Sequence, residues 1–112
     1  MHLMHSTREV FVDRFALFAL LRAKPGKEKE VEDFLKSAQP VAVAEAGTTT
    51  WYAFKLGPDR FGIYDTFEDQ GGRDAHLNGA IAKALMAKAG ELLAEPPQIE
   101  KLEILADKAP GS

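Results

Sequence analysis

A chain of 112 residues with 46% apolar and 28% charged side chains suits one domain around one core, and excludes native disorder. A net charge of −3 and the lack of cysteine exclude a basic field for nucleic acid or an anionic membrane, along with disulfides, thiolate metal sites and a cysteine nucleophile. The longest apolar run, Phe15 to Leu21, is too short to span a bilayer, and no basic, apolar and small-residue leader opens the chain, so a cytoplasmic protein is expected.

Residues 1–13, MHLMHSTREVFVD, follow no clear period and read as an N-terminal arm. The segment RFALFALLRAK that follows is dense in Phe, Leu and Ala and ends at Pro25-Gly26; its length and that breaker favour a buried strand. After the breaker, Val31, Phe34, Leu35, Ala38, Val41, Ala42 and Ala46 keep one face of a 3.6-residue helix, with Lys27 to Glu30, Glu32 and Asp33 on the wet face. Pro40 lacks an N–H and disfavours helical angles at Gln39, which predicts a kink or short break. Gly47 suits a left-handed helix terminator.

Two strands, Thr48 to Leu56 and Arg60 to Phe67, are joined by Gly57-Pro58-Asp59 as a hairpin. Asp69 offers a helix cap, Gly71 and Gly72 suggest a loose first turn, and Leu77, Ile81, Leu85, Met86, Ala89 and Leu92 run at helical spacing to Leu93. Pro96-Pro97 stops that helix ahead of a last strand, Ile99 to Ala106, and 107–112 read as a polar tail. The order predicts an α+β, ferredoxin-like βαββαβ domain over 14–106, with both helices on one face of a four-stranded antiparallel sheet.

That leaves one sheet face without helices. Leu17, Ala19 and Leu21 alternate with Ala16, Phe18 and Leu20, and Trp51 and Ala53 alternate with Tyr52 and Phe54, so neither side is plainly polar. Leaving about four such side chains in water would cost roughly 1.5–3 kcal/mol each, comparable with the roughly 5–15 kcal/mol stability of a whole domain. A homodimer that stacks the two sheets is the expected remedy, with Phe18, Leu20, Tyr52 and Phe54 at its interface.

The run from Gly47 to Leu77 resembles the antibiotic biosynthesis monooxygenase-like, or quinol monooxygenase-like, family. The resemblance lies in Gly47 after the first helix, Trp51 in the second strand, Asp65-Thr66-Phe67 closing the third, and Ala75-His76 in the second helix. It implies a dimeric α/β barrel with a pocket in each subunit between sheet and helices. It also implies a cofactor-independent monooxygenase acting on a small phenolic or quinol-like aromatic molecule, because an ionised aromatic can itself give an electron to dioxygen. No cofactor and no metal are then expected. The alternative is a non-catalytic small-ligand binder on the same scaffold, since one fold hosts many activities.

His76 is the single histidine outside the arm and the candidate base; a partly exposed helix histidine with a structural hydrogen bond is the other reading. As a base lining a pocket, its replacement should cost turnover and little stability. Asp65 falls on the apolar face of Phe61, Ile63 and Phe67, and a carboxylate there needs partners. It is expected to orient His76 or hold a substrate hydroxyl, or else to make an ion pair or helix-end contact. Trp51, Phe67, Ile63 and Leu17 are the expected substrate-binding walls, with core packing as the alternative for Trp51. Relatives carry glutamate more often at Asp65 and tryptophan at Phe67, and heme-degrading relatives carry asparagine near Ala19. His2 and His5 have no cysteine and no well-placed acid beside them, so no metal site is expected in the arm.

Overall fold

A computed structural model describes residues 14–108; the expected arm, 1–13, and residues 109–112 of the expected tail lie outside them. The chain runs β1 (Phe15–Arg22), α1 (Glu28–Ala44), β2 (Thr48–Lys55), β3 (Arg60–Phe67), α2 (Gln70–Leu77), α3 (Ala80–Leu92) and β4 (Gln98–Glu103). Every pairing is antiparallel, in the order β2-β3-β1-β4, which is the expected ferredoxin-like plan. The sheet is open, with β2 and β4 as its edges, so one chain does not close a barrel.

Period-two alternation decides which side chains meet the helices. Phe61, Ile63, Asp65 and Phe67 of β3 stand opposite Leu21, Ala19, Leu17 and Phe15 of β1, and residues directly opposite share a face. On that face Ala19, Leu21, Phe61 and Ile63 pack with Val31 and Leu35 of α1, Leu85 and Leu92 of α3, and Leu93. Helix α1 supplies Val31, Leu35, Ala38 and Ala42 as its buried stripe, at steps of four, three and four residues. The turn that launches it passes through Gly26, the one glycine at positive φ among the described residues (86°).

Four local expectations give way to the structure. Pro40 lies inside α1 without the short break; it is exposed, so the hydrogen bond it cannot donate is lost on the side of the helix that water can reach. Gly47 is not at positive φ and does not terminate α1 in a left-handed conformation. The second helical stretch is divided, because Asn78 folds its side-chain Nδ2 back to the Asp74 carbonyl (2.9 Å) and its N–H to the same oxygen (3.1 Å). Gly79 then caps the start of α3. The last strand is also shorter than expected, ending at Glu103.

The helix-free face bears the apolar residues anticipated for it. Phe18 and Phe54 stack with centroids 6.2 Å apart and planes 17° apart, and Tyr52 is 58% exposed. Phe54 lies flat across Gly62, where an added Cβ would come within 2.5 Å of its ring. Among the described residues, no helix is long and apolar enough to cross a membrane.

Candidate functional site

Asp65 is the centre of the helix-side face. It is 1% exposed, with Leu17 beside it on β1 and Trp51 beside it on β2, while Ile63 and Phe67 precede and follow it on the same face of β3. The structure therefore gathers the four expected wall residues into an apolar collar around one carboxylate. His76 completes the group from α2, which Asp69 starts by accepting a hydrogen bond from Gly72 N (2.7 Å). The imidazole is 8% exposed and packs against the Phe67 ring, centroids 5.4 Å apart and tilted by 48°.

Both ring nitrogens face acids. Nδ1 lies 2.6 Å from Glu45 Oε1, and Nε2 lies 2.9 Å from Asp65 Oδ2. The second contact is close without being aligned, since Asp65 Oδ2 has no hydrogen-bond partner of ordinary geometry. Burial by itself would lower the His76 pKa, but the carboxylates of Asp65 and Glu45 outweigh it and raise the group above its ordinary 6.5. Two acids around one imidazole leave a net negative cluster that favours the charged ring.

Glu45 escaped the sequence reading. It is the C-cap of α1, where the negative end of the helix dipole disfavours an acid. Two partners offset that cost: His76, and Thr48 Oγ1, which donates to the same Glu45 Oε1 at 2.8 Å. The signal was available, since Glu45 continues the buried stripe three residues beyond Ala42. Arg73 was also missed; it is 8% exposed, donates from Nη1 to the carbonyls of Leu102 (3.2 Å) and Ala16 (3.5 Å), and stands 5.1 Å over the Phe15 ring. It ties α2 to the β1–β4 seam.

Two glycines set how closely α2 approaches the end of α1. A Cβ on Gly72 would sit 2.8 Å from the Gly47 carbonyl oxygen, and one on Gly47 would sit 2.9 Å from Gly72 Cα. Close approach, not chain reversal, is the role of Gly47, and it holds Glu45 and His76 within bonding distance. Gly72→Ala is expected to cost about 1–3 kcal/mol, because backbone must move to admit the methyl group; urea unfolding of the variant checks this, and a change within about 0.5 kcal/mol would show that the contact is slack.

A cavity lies elsewhere along the same sheet. About 560 Å³ opens between α1 and edge strand β2, lined by Leu35, Trp51, Tyr52, Phe54 and Phe61 with Glu32, Lys36 and Lys55 among its polar members. A second space of about 270 Å³ shares Gln39 and Trp51 with it. Of the expected site residues, Trp51 lines both; His76, Asp65, Phe67, Ile63 and Leu17 line neither. Trp51 thus links cavity and charge cluster, as does Thr48, which lines the second space and bonds Glu45; the buried Trp51 Nε1 has no hydrogen-bond partner among the described residues. Among the described residues, no three His, Asp or Glu side chains are placed to hold a metal ion.

An open βαββαβ sheet with a buried His–carboxylate cluster beneath its helices defines a ferredoxin-like α+β protein. The chain belongs to the same family as a protein of unknown function from Nitrosomonas europaea, with 57% identity over 89% of this chain and 97% of that one, and a TM-score of 0.86. A Pseudomonas aeruginosa protein shares the fold at 22% identity, 85% and 97% coverage and a TM-score of 0.73. So does a second N. europaea protein, provisionally described as an antibiotic biosynthesis monooxygenase, at 16% identity, 82% and 99% coverage and a TM-score of 0.74. No protein-family model matches the chain, and no curated protein matches it.

Proposed function

We propose that the protein is a cofactor-independent monooxygenase acting on a small phenolic or quinol-like aromatic, working as a cytoplasmic homodimer. The observation that carries this reading is the 2.6 Å hydrogen bond from His76 Nδ1 to Glu45. It fixes the imidazole, makes it more basic, and leaves Nε2 without an aligned bond as the nitrogen that exchanges a proton. Asp65 beside Nε2 steadies the imidazolium once it forms. Trp51, Phe67, Ile63 and Leu17 keep that exchange in an apolar setting, where a developing charge is felt strongly.

The chemistry balances without a further reductant. A quinol hydroxyl gives its proton to His76, and the resulting anion passes one electron to dioxygen. The two radicals combine as a C–O bond; the O–O bond then breaks, so that one oxygen stays on the ring and the other leaves as water. Quinol and dioxygen become hydroxyquinone and water. The part of the protein is to move the proton and exclude solvent.

The non-catalytic binder remains as a second reading, favoured by the fact that neither His76 nor Asp65 lines the cavity. Oxygen uptake by metal-stripped protein over a panel of phenols and quinols separates the two. Under the oxygenase reading, uptake rises with pH as His76 loses its proton, through a value above 6.5. Where the variant is still folded, His76→Ala then cuts turnover roughly 10²–10⁴-fold. Saturable quenching of Trp51, the only tryptophan, with no oxygen consumed by any compound, would establish the binder instead.

A further inference from the structure

We infer that the cavity between α1 and β2 takes a flat aromatic molecule carrying a carboxylate, with the acid held by Lys55. This rests on the cavity being the ligand site, and not on turnover. Its helix-side walls, Leu35, Trp51 and Phe61, are apolar and two of them aromatic, which suits a ring stacked between them. Its volume lies within the roughly 300–1,000 Å³ of small-molecule sites.

The polar residues are unbalanced in charge. Lys36 donates to Glu32 Oε2 at 2.9 Å, whereas Lys55 reaches only Oε1 of the same carboxylate, at 3.9 Å. Two ammonium groups thus share one acid that is already hydrogen-bonded by the first. Lys55 is the less compensated, and its Nζ stands 5.8 Å from the centre of the Phe61 ring, at the aromatic wall. In a chain of net charge −3, a local cationic excess beside an aromatic surface selects for the opposite sign. Lys55 faces the helices, directly opposite Phe61 in register, while Tyr52 and Phe54 of the same cavity stand on the other sheet face.

Isothermal titration calorimetry with 2-naphthoate and its neutral isostere 2-naphthamide tests the assignment. The carboxylate should bind roughly tenfold more tightly at low salt, with the margin shrinking as salt screens the ammonium. Lys55→Met should abolish the preference while leaving 2-naphthamide binding unchanged, and Trp51→Ala should weaken both. Equal affinity for the two compounds, binding of neither, or a preference that survives Lys55→Met would overturn it. Naphthoate binding without oxygen uptake from any aromatic would retire the oxygenase and leave this inference standing; uptake on neutral quinols without preference for the anion would do the reverse.

Discussion

Replacing His76 with alanine is expected to lower the unfolding free energy by about 3–5 kcal/mol, the usual consequence of removing one member of a buried charged group. The structure reverses the expectation of a small stability effect. The imidazole is not a loosely held pocket residue; it separates two acids, one of them 1% exposed. Without it, Asp65 keeps its burial and loses its counter-charge. The double variant Asp65→Leu/His76→Leu should recover most of the loss, since apolar packing replaces buried ion pairs at little or no cost. The sign of the pH dependence follows from the raised pKa of His76. Its stabilising contribution is complete below the unfolded value near 6.5 and is lost as pH rises through the folded value. Urea unfolding at several pH values above 6.5 should therefore show wild-type stability falling, with that slope absent from His76→Ala. A variant within about 1 kcal/mol of wild type would mean that the cluster contributes no more than a surface pair.

Phe18→Lys should split the protein or unfold it. At micromolar concentration the wild type is expected to sediment at twice the 12.3 kDa of one chain, with the helix-free faces of two sheets in contact. Phe18 stacks on Phe54 at the middle of that face, and a lysine there would bury a charge without a partner. Since Phe18 also packs within its own subunit, Tyr52→Glu serves as the cleaner variant. Tyr52 is 58% exposed in the single chain, so its replacement leaves the subunit fold intact while placing like charges across the two-fold axis. A wild type that sediments as a folded monomer would end the dimer reading.

Strands were the most legible part of the fold, because short segments rich in apolar, aromatic and threonine side chains and bounded by Pro25-Gly26 and Gly57-Pro58-Asp59 leave few alternatives. Helices were less so. The stripe from Val31 to Ala42 outweighs Pro40, whose lost bond faces water, whereas Asn78-Gly79 divides a stretch that period alone would carry through to Leu93. The site was partly legible. Alternation placed Asp65 on a buried face, whereas the register that sets Trp51 and Leu17 beside it emerges only in the folded sheet. For Glu45 the helical stripe carried the position but not the role, which depends on a helix end meeting α2 through the close approach of Gly47 and Gly72. Arg73 was hidden because its partners are main-chain carbonyls, and a carbonyl carries no residue signature.

The two edges of the sheet are guarded unequally. Strand β4, QIEKLE, displays Glu100, Lys101 and Glu103, and charges along an edge discourage another chain from pairing there. Strand β2, TTTWYAFK, carries no charge before Lys55; its protection is the register shift between Thr48 and Thr50 and the flank of α1. Threonines and aromatics without proline are the composition that self-associates when a strand edge opens. Loosening of α1 would bare this edge beside Trp51 and open it to self-association. A small molecule seated between α1 and β2 would act as a chemical chaperone, extending the soluble lifetime of the protein at concentrations near its dissociation constant.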